Sequence, residues 1–189
     1  MQNKYSYGVY ALLWVHSQCA ELIGRLLRDC EIPKKAIQRD LHLTVYHARR
    51  PLPGLVPGCK SVRIVADVLE TRFMVLAPGG ENPRPELDPG QRSVGIRLTR
   101  RNQAITQIQN LRAGIARLET EDIIGNRKRS SAWVSCFGPR HYQPHIKLVR
   151  PGNKISRDLT KLGKIFRDRI GHIEFDRFEI KCGPVQNRF

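Results

Sequence analysis

Leu41-His42-Leu43-Thr44-Val45 and Pro144-His145-Ile146-Lys147-Leu148 are two versions of one short pattern. Each runs apolar or Pro, then His, apolar, Thr or Lys, apolar. In a strand, side chains two apart share a face. His42 and Thr44 therefore point one way while Leu43 and Val45 point the other, and His145 and Lys147 do the same on the second strand. Two polar residues on one face of an otherwise apolar strand need either a wet cleft or buried partners. His47, five residues from His42, is expected on the opposite face, as a structural or surface residue. Two like strands, each followed later by a helix, can be related by a pseudo-two-fold axis. Such an axis brings two imidazoles across a central groove.

Outward from these strands, Tyr5–Val15 is rich in aromatic and β-branched residues and reads as a buried strand. Ser17 is expected to N-cap a helix over Cys19–Cys30, with Ala20, Ile23, Leu26 and Leu27 on one face and a break at Ile32-Pro33. Strands are expected at Leu41–Ala48, Ser61–Val68, Thr71–Ala77 and Ser93–Leu98. Pro78–Gln91, with four Pro and three Gly, is the clearest loop. Asn102–Leu118 places Ile105, Ile108, Leu111, Ile115 and Leu118 at helical spacing. Glu119–Ser131 is polar and reads as an exposed loop. Strands follow at Trp133–Phe137 and Gln143–Arg150, then a helix at Ser156–Ile170, and His172–Lys181 closes as a strand or a hairpin around Asp176-Arg177. Several neighbouring strands are joined by links too short for a helical crossover. The expectation is α+β with a mostly antiparallel sheet and flanking helices, one domain over residues 1–189.

Composition narrows the partners. The 189 residues hold 33 Lys+Arg against 17 Asp+Glu, a formal net charge of +16. With a pI near 10.3, phosphate-bearing ligands are favoured over neutral ones. Arg97, Arg100 and Arg101 bracket a strand-to-helix junction, Arg127-Lys128-Arg129 is a run, and Arg157 to Arg169 is a basic helical segment. No glycine-rich nucleotide loop is present. No stretch approaches the ~20 apolar residues of a membrane span, so a cytoplasmic protein with no membrane partner is expected. Five cysteines without a C-x-x-C spacing read as free thiols. His141 and His145 stand four apart, a ligand spacing on a helix, but Pro144 puts them in a turn-to-strand passage. No metal and no cofactor are expected.

The chemistry that calls for two facing imidazoles is in-line displacement at phosphorus. One neutral ring takes a proton from the attacking oxygen while an imidazolium opposite protonates the leaving oxygen. The ordinary histidine pKa of ~6.5 suits both roles. The residue two along, on the same face, can donate to a non-bridging phosphate oxygen.

The paired H-x-[ST/K]-x pattern, the helix after the first strand, and the terminal strand rich in Glu and Phe resemble the two-histidine (2H) phosphoesterase superfamily. That group includes RNA 2′,3′-cyclic phosphodiesterases, 2′-5′ oligonucleotide phosphodiesterases, and viral enzymes that destroy cyclic oligonucleotide immune signals. The resemblance implies catalytic His42 and His145, phosphate ligands Thr44 and Lys147, no metal, and a bilobal fold of two intertwined, pseudo-two-fold-related lobes around a central cleft. Lys147 departs from the usual Thr or Ser, adding a charge that lowers the pKa of His145. Pro78–Gln91 is longer than a minimal member needs.

Base-stacking rings are expected at Tyr7, Trp133 and Tyr142, each worth ~1–3 kcal/mol per stacked base. Tyr10, Leu12 and Trp14 share the other face of the first strand from Tyr7. Pro78–Gln91 and Glu119–Ser131 are available as lids. The expected activity is metal-independent hydrolysis of a nucleotide phosphodiester, in a cyclic or short oligonucleotide or an RNA 2′,3′-cyclic phosphate. A small cyclic or short oligonucleotide is favoured because the basic residues form no continuous tract. The rival reading is a non-catalytic RNA- or nucleotide-sequestering protein, which needs only charge and rings.

Overall fold

In the computed structural model, which describes residues 7–48, 52, 54–76, 93–125, 142–150 and 159–184, the two histidine strands lie side by side at the middle of one sheet. The elements in chain order are β1 (Tyr7–Val15), α1 (Ser17–Asp29), β2 (His42–Ala48), β3 (Gly58–Asp67), β4 (Thr71–Leu76), β5 (Ser93–Leu98), α2 (Ala104–Gly125), β6 (His145–Val149), α3 (Leu159–Arg169) and β7 (His172–Pro184). The strands form a seven-stranded sheet in the order β3-β7-β1-β2-β6-β5-β4. Every neighbouring pair is antiparallel. The fold is α+β with an antiparallel sheet, as the short links require.

One connection occurs twice. β1 leads through α1 to β2, which pairs back on β1, and β5 leads through α2 to β6, which pairs back on β5. The two units meet at Leu43↔Ile146. The seam is lengthened where Gln38 N–H donates to the Leu148 carbonyl and Arg150 N–H to that of Ala36, both at 2.8 Å.

The sheet's two faces differ because the strands alternate. Val9, Ala11 and Leu13 of β1, Leu43 of β2, Ile96 of β5 and Ile146 of β6 are fully buried on one face. The helices cover that face with Ile23, Leu26 and Leu27 of α1, Ile108 and Ile115 of α2, and Leu162 and Phe166 of α3. Burying each such side chain contributes about 1.5–3 kcal/mol. At α3 the approach is close: a Cβ on Gly163 would stand 3.1 Å from Phe73 Cβ, and Phe73 packs on Phe166 at 5.9 Å. The opposite face carries the histidines.

Three boundaries differ from expectation. His16, not Ser17, occupies the N-cap position of α1, and it makes no side-chain capping bond. α2 continues to Gly125, past the expected end at Leu118. Thr120 and Glu121 are polar because they are exposed on this helix, where Arg117 pairs with Glu121 at 3.6 Å and Thr120 Oγ1 donates to the Ala116 carbonyl at 3.0 Å. β7 is a single strand, one of the two forms expected, and runs to Pro184, past the expected end at Lys181; Asp176 is the extra residue of a bulge between Phe175 and Arg177. The expected strand Trp133–Phe137, the loop Pro78–Gln91 and residues 126–131 lie outside the described residues.

Candidate active site

Pairing at Leu43↔Ile146 sends both side chains into the core. Antiparallel register then sets Thr44 opposite His145 and His42 opposite Lys147, all on the face opposite the helices. The two histidines are diagonal neighbours on adjacent strands, which puts their backbone positions about 7–8 Å apart. The four residues of the repeated pattern are therefore brought together.

Each imidazole is held in the same way. His42 Nδ1 lies 2.9 Å from the carbonyl of Asp40, and His145 Nδ1 lies 2.9 Å from that of Gln143. A carbonyl only accepts, so both Nδ1 atoms carry the hydrogen and both Nε2 atoms keep their lone pair. In each case the anchor is the backbone two residues earlier.

Both histidines have pKa values below the ordinary 6.5. For His42 the first cause is burial, followed by the nearby Lys147 and His145 charges, with the Asp40 carbonyl and carboxylate opposing. For His145 burial again leads, then Lys147 and Arg97, opposed by the bond to the Gln143 carbonyl. Much of the Lys147 side chain is exposed, yet lost solvation pushes its own pKa down as well. With both values below 6.5, the two imidazoles are neutral at pH 7. Such a pair can accept a proton on one ring and, once a bound anion offsets the lysine, deliver one from the other.

Each histidine strand carries a bulge at the third residue after its histidine. In β2, Leu12 pairs with Thr44 but Ala11 with Tyr46, so Val45 is extra. In β6, Gly95 of β5 pairs with Lys147 but Val94 with Val149, so Leu148 is extra. One added residue reverses the side-chain alternation beyond it. His47 is thus returned to the face of His42, against expectation, and its ring stacks on Tyr10 at 4.0 Å.

Both bulges have dedicated support. Arg112 of α2, only 6% exposed, donates from Nη1 to the Val45 carbonyl at 2.9 Å and lies over the rings of Tyr46 and Tyr142 at 5.4 and 4.5 Å. Tyr142 OH donates to the Thr44 carbonyl at 2.8 Å, and burial raises its pKa. At the other bulge, a Cβ on Gly95 would fall 2.1 Å from the Ile146 carbonyl oxygen. Only glycine fits there.

The flanks of the pair are unlike. On the β1 side, Trp14 stands 5.3 Å from the His42 ring and donates from Nε1 to Glu179 Oε2 at 2.7 Å. Arg177 and Lys181 of β7 lie over the indole at 4.8 and 5.2 Å. On the β5 side, Arg97 is opposite His145 and donates to Gln143 Oε1, the side chain of the residue whose carbonyl anchors His145.

Of the rings expected to stack on a base, Tyr142 is engaged by Thr44 and Arg112. Tyr7 sits seven residues from Trp14 along β1, about 23 Å away at strand rise. Trp133 lies outside the described residues. Trp14 is the ring beside the histidines, and its shared face with Tyr10 was the available signal. Arg112 carried none, since only the packing of α2 on the sheet brings it to the Val45 carbonyl. Among the described residues no His, Cys, Asp or Glu group has the arrangement to hold a metal, and no helix is long and apolar enough to cross a membrane. No protein-family model and no curated protein matches this chain.

Proposed function

We propose that this protein is a two-histidine phosphodiesterase acting on a nucleotide phosphodiester in a cyclic or short oligonucleotide or at an RNA 2′,3′-cyclic end. The observation that carries the reading is the matched anchoring of His42 and His145. Two rings on adjacent central strands and on one face of the sheet are each pinned through Nδ1 to the backbone two residues earlier, which leaves the Nε2 lone pair of each available to a proton. The repeated strand-helix-strand unit supports a bilobal arrangement about an approximate two-fold at the Leu43–Ile146 seam.

The step balances with protein groups alone. Water attacks phosphorus, and its proton passes to the Nε2 of one histidine as the new P–O bond forms. The P–O bond to the leaving oxygen breaks, and that oxygen takes the Nε2 proton of the other histidine. The anionic phosphodiester offsets Lys147 and allows one imidazole to enter the reaction protonated. Thr44 Oγ1 and Lys147 Nζ, on the histidine face, donate to the non-bridging oxygens.

A sequestering protein would need the +16 charge but not two identically anchored imidazoles. The deciding measurement is a turnover screen of cyclic oligonucleotides beside RNA ending in a 2′,3′-cyclic phosphate, with and without EDTA. Cleavage of at least one class that persists in EDTA is expected. Recovery of every substrate intact, or full loss of turnover in EDTA, rejects the reading.

A further inference from the structure

An open pocket of about 1030 Å³ begins where the histidine pair ends, over β5, β4 and the turn into α2. Arg72, Arg97, Arg100 and Arg101 line it, from two segments separated in sequence. Among the described residues its one carboxylate is Glu70, which accepts from Thr99 Oγ1 at 2.6 Å. Among the described residues, none of the four arginines is ion-paired.

The register connects this pocket to the histidines. Arg97 is opposite His145, and Arg72 is opposite Arg97, so the three share one face on successive strands. Strand spacing puts Arg97 about 5 Å and Arg72 about 10 Å from the His145 strand. Like charges directly opposite each other destabilise a sheet. A fold that keeps Arg72 and Arg97 paired without a carboxylate between them is disposed to receive an anion. Guanidinium groups suit phosphate because their planar N–H pairs meet two oxygens at once.

We propose that this arginine pocket binds a second phosphate of the substrate, one nucleotide removed from the phosphate being cleaved. The inference rests on the phosphodiesterase reading and deepens it: the substrate is an oligonucleotide with at least two phosphates, not a mononucleotide. A 2′,3′-cyclic mononucleotide fills only the histidine site.

The test uses the double variant R100A/R101A, because both side chains are exposed in a turn. Inorganic pyrophosphate is titrated calorimetrically into wild type, R100A/R101A and H42A/H145A. Binding at least ten-fold weaker in the arginine variant, and within two-fold of wild type in the histidine variant, is expected. In parallel, kcat/KM is measured on a 2′,3′-cyclic mononucleotide and on a dinucleotide carrying an additional terminal phosphate. The arginine variant is expected to lose ten-fold or more on the second substrate and less than two-fold on the first. The salt slope for a short oligonucleotide should also become shallower by about 0.7 per lost phosphate contact. Unchanged pyrophosphate binding, or equal losses on both substrates, overturns the proposal. Absence of turnover by wild type with pyrophosphate binding still dependent on Arg100 and Arg101 overturns the catalytic reading and leaves an anion site.

Discussion

β1-α1-β2 and β5-α2-β6 build the same corner of a site from the same connection, but surround their histidines with opposite chemistry. His42 has the Asp40 carboxylate, which raises its pKa, together with the indole of Trp14. Among the described residues no carboxylate acts on His145, which is pressed by both Lys147 and Arg97. A repeated backbone sets the positions, and the unrepeated neighbours set the proton affinities. On that difference, His42 is expected to carry the proton into the reaction and His145 to be the base.

The largest effect that can break this comparison comes from the histidines themselves. H42A and H145A should each lower kcat/KM on a natural diester by about 10²–10⁴, or roughly 3–5 kcal/mol of transition-state stabilisation. The double variant should be little worse than the more damaged single one, since the two act as a unit. A nitrophenyl phosphodiester separates the roles, because nitrophenolate leaves without a proton. H42A should recover much of its activity on that substrate and H145A should not. The reverse pattern exchanges the two assignments, and full activity in both variants removes the mechanism.

A smaller effect tests whether the two bulges are supported differently. The β2 bulge is supported by a helix, through Arg112 on the Val45 carbonyl, and the β6 bulge by the neighbouring strand β5, where the missing side chain of Gly95 leaves room for the Ile146 carbonyl. R112M leaves a buried carbonyl without its donor and should cost about 1–3 kcal/mol in denaturant unfolding. G95A pushes a methyl group into backbone and should cost about 1–3 kcal/mol as overpacking. Either variant should also reduce turnover, because each bulge lies three residues from a histidine. Wild-type stability in both would show that the bulges do not need these supports.

Those bulges also mark where sequence reading stopped. Strand alternation placed His42 with Thr44 and His145 with Lys147, and apolar spacing located the three helices, because both signals are local. Parity holds only while no residue is added, so the extra Val45 carried His47 back to the histidine face. The polar end of α2 resembled a loop because an exposed helix side and a loop share a composition. The anchoring carbonyls of Asp40 and Gln143 had no signal at all, since any residue supplies a carbonyl. Arg72 joined Arg97 through strand pairing, which nothing between residues 72 and 97 announces.

The mildest change sharpens the comparison by removing the one charge both histidines share. Lys147 lies beside both rings and lowers both pKa values. Replacing it by threonine, K147T, takes away a cation and keeps a hydrogen-bond donor for phosphate. The base must be neutral to act, so a raised His145 pKa moves the acid limb of the kcat/KM profile to higher pH. The acid must be protonated, so a raised His42 pKa moves the alkaline limb the same way. The whole bell should therefore shift upward with its width little changed. A bell that stays in place, or moves to lower pH, would mean that Lys147 does not set the proton affinities of the pair. Measuring kcat/KM across pH 4.5–9 for wild type and K147T at constant ionic strength is sufficient, because salt would otherwise screen the same charge.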